Sequence, residues 1–155
     1  MRIHFYEKNH KAFVVLEGNL DCDAQMEFDR LEAIDAKRVV FNWRDVTNIT
    51  SSGLRLWIEF LRRFGIDREI SFEECSPAVV VQLHMVPSFS SGVRIESFLG
   101  EYYCEPCHRF EYILHKANNE SDDDEMYACP ECAGKLSVED GAELFFDQQC
   151  SLAVS

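Results

Sequence analysis

The sequence predicts an α/β protein in which helices cover a sheet, followed by a small β appendage. Two observations carry this prediction. Strand-like and helix-like segments alternate up to about residue 99, and two C-x-x-C pairs follow within the next 35 residues or so. We therefore expect a first domain over residues 1–99 and a second over residues 100–150.

The first half of the first domain contains two short apolar strands with a helix between them. Residues 13–16 (FVVL) form a buried strand that Gly18 and Asn19 are expected to end. Asp21 or Asp23 then caps a helix that runs to about Ile34. Residues 39–41 (VVF) supply the second strand.

An amphipathic helix follows over residues 54–64, and Gly65 is well placed to end it. Its apolar residues recur at the spacing of one helix face: Leu54, Trp57, Ile58 and Leu61. Three hydroxyl residues, at positions 50–52, precede this helix, where side-chain oxygens accept hydrogen bonds from unpaired backbone N–H groups. Helix capping by itself is therefore one explanation for them.

The rest of the first domain is a strand, an apolar helix and a last strand. Residues 69–73 (EISFE) alternate as a strand does. Pro77 opens an apolar segment over residues 78–86, which Pro87 closes, and residues 92–98 form the last strand.

The cysteine pattern of the second domain predicts a metal site. Each C-x-x-C turn directs two thiolates at one point, and two such turns complete the tetrahedral four-sulfur site that zinc prefers. The four predicted ligands are Cys104, Cys107, Cys129 and Cys132. Redox-active dithiols are the alternative, but neither pair lies at a strand-to-helix junction. The second domain resembles a zinc ribbon, which implies a structural zinc ion.

Other features of the second domain are simpler. His108 adjoins Cys107 and is an alternative ligand or a surface residue, while Cys22, Cys75 and Cys150 fit no ligand pattern. The acidic run 120–125 is expected to be a solvated loop, and residues 138–146 suggest a hairpin turning at Asp140-Gly141.

Charge and hydropathy exclude several functions. The net charge of −13 argues against binding to nucleic acid or to anionic membranes. No apolar run is long enough to cross a bilayer, and residues 1–10 lack the apolar core of a secretory signal. No phosphate loop, zinc-protease motif or hydrolase elbow is present. We therefore expect a cytoplasmic protein that is not an enzyme.

The order of elements around the three hydroxyls resembles the STAS domain, shared by bacterial anti-sigma-factor antagonists and the cytosolic tails of sulfate transporters. Residues 13–21 (FVVLEGNLD) are similar to the family's second strand and the turn after it. Residues 39–54 (VVFNWRDVTNITSSGL) are similar to its third strand and Asp-Ser-Ser-Gly-Leu signature, and residues 78–98 to its last helix and strand. The resemblance implies a STAS-like sheet covered by helices.

The resemblance also implies a phosphorylation switch. In the family's antagonists, a kinase that is also an anti-sigma factor phosphorylates a serine at this helix start and then releases the modified protein. The matching acceptor is Ser51, with Ser52 as the second candidate. The partner surface would comprise residues of the same helix start and its polar side: Thr50, Gly53, Arg55, Glu59 and Arg62.

Two departures from the family keep alternatives open. Thr50 and Asn42 stand where the family has acidic residues before the serine and at the end of the third strand. A STAS-like scaffold that binds without being switched is therefore a second hypothesis. A zinc-ribbon adaptor for the transcription machinery is a third, which the acidic charge disfavours.

Overall fold

The computed structural model describes residues 1–117 and 127–138. Within them, strands and helices alternate as the sequence predicts, with one-turn 3-10 segments at Cys22–Ala24 and Pro87–Ser90. The elements are β1 (Arg2–Lys8), β2 (Lys11–Leu20), α1 (Gln25–Leu31), β3 (Arg38–Ile49), α2 (Ser51–Phe64), β4 (Glu69–Glu73), α3 (Pro77–Met85), β5 (Val93–Ile95), β6 (Ser97–Cys104), β7 (Arg109–Lys116) and β8 (Ser137–Val138). None of the helices among these residues combines the length and apolarity that a membrane span requires.

The first five strands form one sheet in sequence order, β1-β2-β3-β4-β5. Strand β1 is antiparallel to β2, and the later pairs are parallel, with a helix in each of the three connections. Parallel neighbours need such crossovers, because the chain must return to the opposite end of the sheet before the next strand can begin in the same direction. The predicted α/β class is confirmed.

An aromatic cluster joins the sheet to α1 and α2. Phe41 of β3 meets Trp57 and Phe60 of α2 edge-on, with ring centroids 5.2 and 6.4 Å apart. Phe28 of α1 stacks on Phe60 at 4.8 Å. The indole N–H of Trp57 donates to the carbonyl oxygen of Phe89 at 2.9 Å, so this ring is buried without an unpaired donor. These contacts fix α2 on the sheet.

Two of the predicted strand boundaries were wrong. Gly18 and Asn19 do not end β2, which continues to Leu20 through register shifts beside Val15 and Gly18. Gly18 has a φ of +87°, so the glycine allows an irregularity within the strand instead of breaking it. The third strand is also longer than the apolar residues 39–41, since β3 extends to Ile49 along a more polar stretch.

The predicted last strand, residues 92–98, is divided between two sheets. Strand β5 ends at Ile95 as the edge of the first sheet, and β6 is the middle strand of a second sheet with the order β7-β6-β8. The start of β6 still pairs with the first domain, because Cys75 donates to Ser97 O at 3.1 Å and accepts from Leu99 N at 2.8 Å. Strand β6 therefore runs across the division that the sequence predicts at residue 99, and that division stays a prediction.

Several predicted features lie outside the described residues. They are the acidic run 120–125, Cys150 and the hairpin beyond Val138.

Candidate functional site

The start of α2 is fixed by Thr50, which follows β3 directly. The backbone N–H of Thr50 donates to Leu20 O at 2.9 Å, and this bond ties the end of β3 to the end of β2. Its hydroxyl oxygen accepts from Gly53 N at 3.2 Å. Thr50 is thus the N-cap residue, with an extended backbone, φ −84° and ψ 161°.

Gly53 lets this helix start approach β2 closely. A Cβ atom built on Gly53 would collide with the carbonyl group of Leu20 and lie 2.7 Å from the backbone nitrogen of Asp21. Gly53 is buried as a result, and Thr50 is half-buried. The partner contact expected at Gly53 therefore has no exposed surface to act through, whereas packing accounts for the residue.

The two predicted phosphoacceptors differ in their hydrogen bonding. Both Ser51 and Ser52 are exposed at the first turn of α2. The Ser52 hydroxyl lies 3.0 Å from the Thr50 hydroxyl, so it joins the capping group. Within the described part of the chain, no hydrogen bond is found for the Ser51 hydroxyl. Capping thus explains Thr50 and Ser52 but leaves Ser51 unexplained.

A shallow strip that is open to solvent lies along one side of α2 from this point, and we call it the groove of α2. Two arginines and a glutamate border it, and half-buried Leu54 and Ile58 form its apolar part. Its lining residues are Ser51, Leu54, Arg55, Ile58, Glu59 and Arg62. Of the residues predicted to contact a partner, the structure therefore brings three together beside Ser51.

Sequence reasoning assigned Leu54 and Ile58 to the buried helix face, and this was wrong in part. The most buried residues of α2 are Gly53, Trp57, Phe60, Leu61 and Phe64. The aromatic residues at positions 57, 60 and 64 also recur at the spacing of one helix face. Their larger apolar side chains were therefore the signal in the sequence that could have identified the buried face. The buried face is rotated toward them, which leaves Leu54 and Ile58 at the edge.

Asn42, which we expected at the end of the third strand, does not end β3. It lies within this strand, where its side-chain NH₂ donates to Glu73 Oε1 at 3.5 Å and its amide oxygen accepts from Arg44 N at 3.1 Å. Asn42 therefore holds the local backbone of β3 and β4.

The four predicted metal ligands converge at the turn of the second sheet. Cys104 is the last residue of β6, and Cys107 lies in the turn between β6 and β7. The backbone N–H of Cys129 donates to Gly134 O at 2.8 Å to close the second knuckle. All four sulfur atoms lie within 4.8 Å of one another. The sulfurs of Cys104 and Cys132 are 3.5 Å apart, and those of Cys107 and Cys129 are 3.9 Å apart. Tetrahedral zinc–sulfur bonds of about 2.3 Å place sulfurs about 3.8 Å apart, so the cluster has the size of such a site.

The thiol groups of this cluster differ in acidity. Backbone N–H groups of Cys132 and Glu131 donate to the Cys129 sulfur and lower its pKa to about 7. The hydrogen bond with the Cys132 thiol, together with burial, raises the pKa of Cys107 to about 12, and burial raises the pKa of Cys104. One thiolate is therefore favoured by the protein, while a dication between the sulfurs would favour all four.

The remaining candidates make other contacts. His108 Nδ1 lies 3.2 Å from the Tyr103 hydroxyl, and His108 is not among the four clustered ligands. Cys75 is fully buried, which raises the pKa of its thiol, and Cys22 is exposed.

Comparisons with known proteins show resemblance to solved structures only. No family model matches the sequence, and no curated protein matches it. A structure described as "Crystal Structure Analysis of Mglu" is 24% identical with a TM-score of 0.42, and the match covers 46% of this chain and 19% of that one. The unphosphorylated anti-sigma factor antagonist SpoIIAA is 14% identical with a TM-score of 0.49, and the match covers 61% of this chain and 87% of that one. At these values neither likeness assigns a function.

Proposed function

We propose that this protein is a bacterial regulatory module that binds a protein partner through the groove of α2 and is switched by phosphorylation of Ser51. The partner would be a serine kinase of the anti-sigma-factor type, and this chain would be its substrate and not an enzyme. The γ-phosphoryl group of a nucleoside triphosphate would pass to Ser51 Oγ, with loss of the hydroxyl proton and release of the nucleoside diphosphate.

The observation that carries this proposal is the exposed Ser51 hydroxyl, which is not used for capping. Thr50 already accepts the N–H of Gly53 at the helix start. A hydroxyl that the fold does not need is free to accept a phosphoryl group without loss of the cap.

The charges near Ser51 support a switch without unfolding. A phosphate at a helix N-terminus is stabilised by the unpaired N–H groups and by the helix dipole. Arg55 lies one turn further along α2 and lines the same groove. A phosphate would place roughly −1.5 to −2 charges there and compete for Arg55 with any carboxylate of the bound partner. The expected result is release of the partner.

The first experiment isolates the protein from its native host and maps phosphate on the peptide containing Ser51 and Ser52 by tandem mass spectrometry. We expect phosphate on Ser51, and we expect the Ser51→Ala variant to co-purify with the kinase while carrying no phosphate. Ser51→Asp should weaken that complex by about tenfold or more, because it adds a charge inside the contact.

Ser52→Ala is the matched control, since it removes a neighbouring exposed hydroxyl without touching Ser51. It should leave both the phosphopeptide and the complex unchanged. An unmodified peptide under every growth condition, together with a complex that Ser51→Asp does not weaken, would contradict the switch. That result would favour the non-switching scaffold.

We also propose that zinc occupies the four-cysteine cluster. Zinc is the ion that such a site prefers, and saturated sites of this kind are structural. Purified protein should contain about one zinc per chain by elemental analysis. The double variant Cys104→Ser with Cys129→Ser should lose the metal, whereas Cys22→Ser should keep it. Iron in place of zinc would overturn the choice of metal.

A further inference from the structure

The groove of α2 is continuous with a cleft at the C-terminal end of the helix. This cleft lies between the second half of α2 and the edge strand β5 of the first sheet. Its lining residues include Ile58, Arg62, Ile66, Arg68, Ser91 and Val93. Ile58 and Arg62 also line the groove of α2, so the two surfaces join along the helix. We call the groove and the cleft together the outer face of α2.

The outer face of α2 follows one row of residues along the helix. Ser51, Arg55, Ile58 and Arg62 recur at intervals of four, three and four residues, which is the spacing of a single helix face. Ile58 is half-buried within this row, and Ile66 beyond the helix is 66% exposed. Helices pack on each other through such rows of residues three and four apart. The shape of the surface therefore fits a second helix lying along α2.

The charges that line the outer face of α2 are mostly positive. Arg55, Arg62 and Arg68 line it, against the single carboxylate of Glu59. The whole chain has 15 Lys and Arg residues and 28 Asp and Glu residues, so this surface reverses the balance of the rest. Asp67 is exposed in the turn after α2, but it lines neither the groove nor the cleft.

Two of these three arginines have no ion pair within the described part of the chain. They are Arg55 and Arg62. Arg63, the neighbour of Arg62, pairs with Glu32 at 3.2 Å and does not line the outer face. The guanidinium group of Arg68 donates to two backbone carbonyl groups, which holds the end of α2. Arg55 and Arg62 are therefore the positive groups that a partner can pair with.

We propose that the outer face of α2 binds an acidic, amphipathic helix of another protein. Carboxylates of that helix would pair with Arg55 and Arg62. Its apolar row would pack on Ile58 and, in the cleft, on Ile66. This inference rests on the proposed function, since it names the chemistry of the segment that the partner places on the same groove. A phosphate on Ser51 would repel those carboxylates, which gives the release of the partner a physical cause.

Charge favours an acidic helix over other helical occupants. The net charge of −13 acts at long range, but at physiological salt charges further apart than about 8 Å are largely screened. The side chains that touch the partner therefore decide which charge it carries. A basic helix would meet two arginines without ion pairs. A second copy, packed α2 against α2, would place the arginines of one chain against those of the other.

The test uses the unphosphorylated chain and three labelled helical peptides of eighteen residues. Each peptide has Leu at helical spacing to form one apolar row, Ala on the opposite face, and Glu, Gln or Lys at the positions beside the row. Binding is measured by fluorescence anisotropy. We expect affinity to fall in the order Glu, Gln, Lys, with the Glu peptide at least about tenfold tighter than the Lys peptide.

Arg62→Gln and Arg63→Gln are a matched pair of variants. The two arginines are neighbours in the last turn of α2, but only Arg62 lines the outer face. Arg62→Gln should weaken the Glu peptide by about three- to fivefold, and Arg63→Gln by less than about twofold. Equal losses in the two variants would contradict the proposal.

The double variant Arg55→Glu with Arg62→Glu gives the sharpest readout. It should reverse the order of the three peptides, because the surface then favours Lys over Glu. Loss of folding cannot produce such a reversal, and circular dichroism establishes that each variant is folded. An unchanged order in this variant would overturn the proposal.

The outcomes separate the acidic helix from the phosphorylation switch. Preference for the Glu peptide in a protein that never carries phosphate on Ser51 would support the acidic helix and remove the switch. Phosphate on Ser51, together with equal binding of the three peptides or no saturable binding at millimolar peptide, would overturn the acidic helix and keep the switch. Dimerisation in sedimentation that Ile66→Lys abolishes would also overturn it, because the occupant would then be a second copy.

Discussion

At the scale of single residues, the three hydroxyl groups at the start of α2 differ in their hydrogen bonding. Thr50 caps the helix and Ser52 bonds to Thr50, whereas the Ser51 hydroxyl is exposed without a hydrogen bond to any described residue. By residue type alone all three are possible caps, because hydroxyl residues share that preference, and it was the resemblance to the STAS signature that pointed to Ser51. The hydrogen bonds support the proposal that Ser51 is the acceptor, because its hydroxyl is the one of the three that is not engaged.

Gly53 gives a direct test of the packing that positions Ser51. We expect Gly53→Ala to destabilise the protein by about 1–3 kcal/mol or more, because the added methyl group meets backbone atoms that cannot rotate away. The free energy of unfolding in urea measures the effect. Ser52→Ala, one residue away and exposed, is the control and should change it by less than about 1 kcal/mol. A Gly53→Ala variant as stable as the original would mean that α2 does not approach β2 closely.

Ala133 is a position where we expect a substitution to raise the stability of the protein and not to lower it. It follows the last cysteine of the second knuckle with a φ of +57°, a left-handed conformation that costs an L-residue roughly 1–2 kcal/mol. Because glycine adopts this conformation without that cost, we expect Ala133→Gly to stabilise the second sheet by up to about 1 kcal/mol, measured as resistance to zinc loss on heating.

Ala128 provides the control for this change. It is a neighbouring alanine outside the positive-φ set, so Ala128→Gly should destabilise, since there only the entropic cost of glycine applies. If both glycine variants lowered stability, the left-handed knuckle would be in doubt.

At the scale of elements, β3 and β4 are held together where the first sheet ends. Arg44 of β3 donates to Glu74 Oε2 at 2.9 Å, directly after β4. This hydrogen bond from Arg44 is the main reason why the pKa of Glu74 lies below its usual value, although partial burial opposes it. The pair links the first sheet to the residues that precede α3.

The lowered pKa of Glu74 predicts a pH dependence. The ionised carboxylate is favoured in the folded state, so its contribution is complete above the unfolded pKa of about 4.3 and is lost as the pH falls through the lower folded pKa. We expect no more than about 1 kcal/mol, because both side chains are partly exposed. Urea unfolding of the protein and of Glu74→Gln should therefore differ at pH 7 and converge in acid.

Glu69→Gln is the control for this prediction. Glu69 pairs with Arg38 at 3.2 Å, but both side chains are more than two-thirds exposed. Glu69→Gln should change the free energy of unfolding less than Glu74→Gln at every pH, because exposed ion pairs are screened by solvent. If Glu69→Gln lowered the free energy of unfolding as much as Glu74→Gln does, the hydrogen bond from Arg44 would contribute no more than an exposed ion pair.

At the scale of the whole molecule, the described residues form two cores of very different size. The first contains both tryptophans and most of the large buried rings, and it joins β1–β5 to the three helices. The second has four buried members: Tyr102, Cys104, Cys129 and Leu136. A core this small gains little free energy from the burial of apolar surface. A metal ion or another crosslink is therefore needed to stabilise it.

This asymmetry predicts how the protein responds to metal removal. A strong chelator should unfold the second sheet and expose the four clustered thiols while leaving the first core intact. Trp43 and Trp57 are the only tryptophans of the sequence, so tryptophan emission reports the first core alone. We expect unchanged emission together with new thiol reactivity at the cluster and none at buried Cys75.

Cys22 is the internal reference, because it is exposed and should react before and after chelation. A red shift of the tryptophan emission on chelation, or labelling of Cys75, would show instead that the two cores unfold together. Strand β6 would then be the physical link, since it pairs with Cys75 at its start and ends at Cys104.

The sequence by itself determined the α/β class, the alternation of elements in the first sheet and the ligand spacing of the metal cluster. These features depend on local periodicity and on short spacings between residues, which can be recognised without knowledge of the tertiary structure. Gly65 as the end of α2 and residues 69–73 as β4 were identified in the same way.

Only the tertiary structure decided which hydroxyl is unused, which face of α2 is buried and where the chain passes from the first sheet to the second. Each of these depends on contacts between residues distant in the sequence: Thr50 and Leu20, Trp57 and Phe89, Cys75 and Phe98. Apolar spacing on α2 fits both Leu54 and Phe60, and it is the aromatic cluster on the sheet that selects Phe60. Long-range packing chooses among the faces that local pattern leaves equivalent.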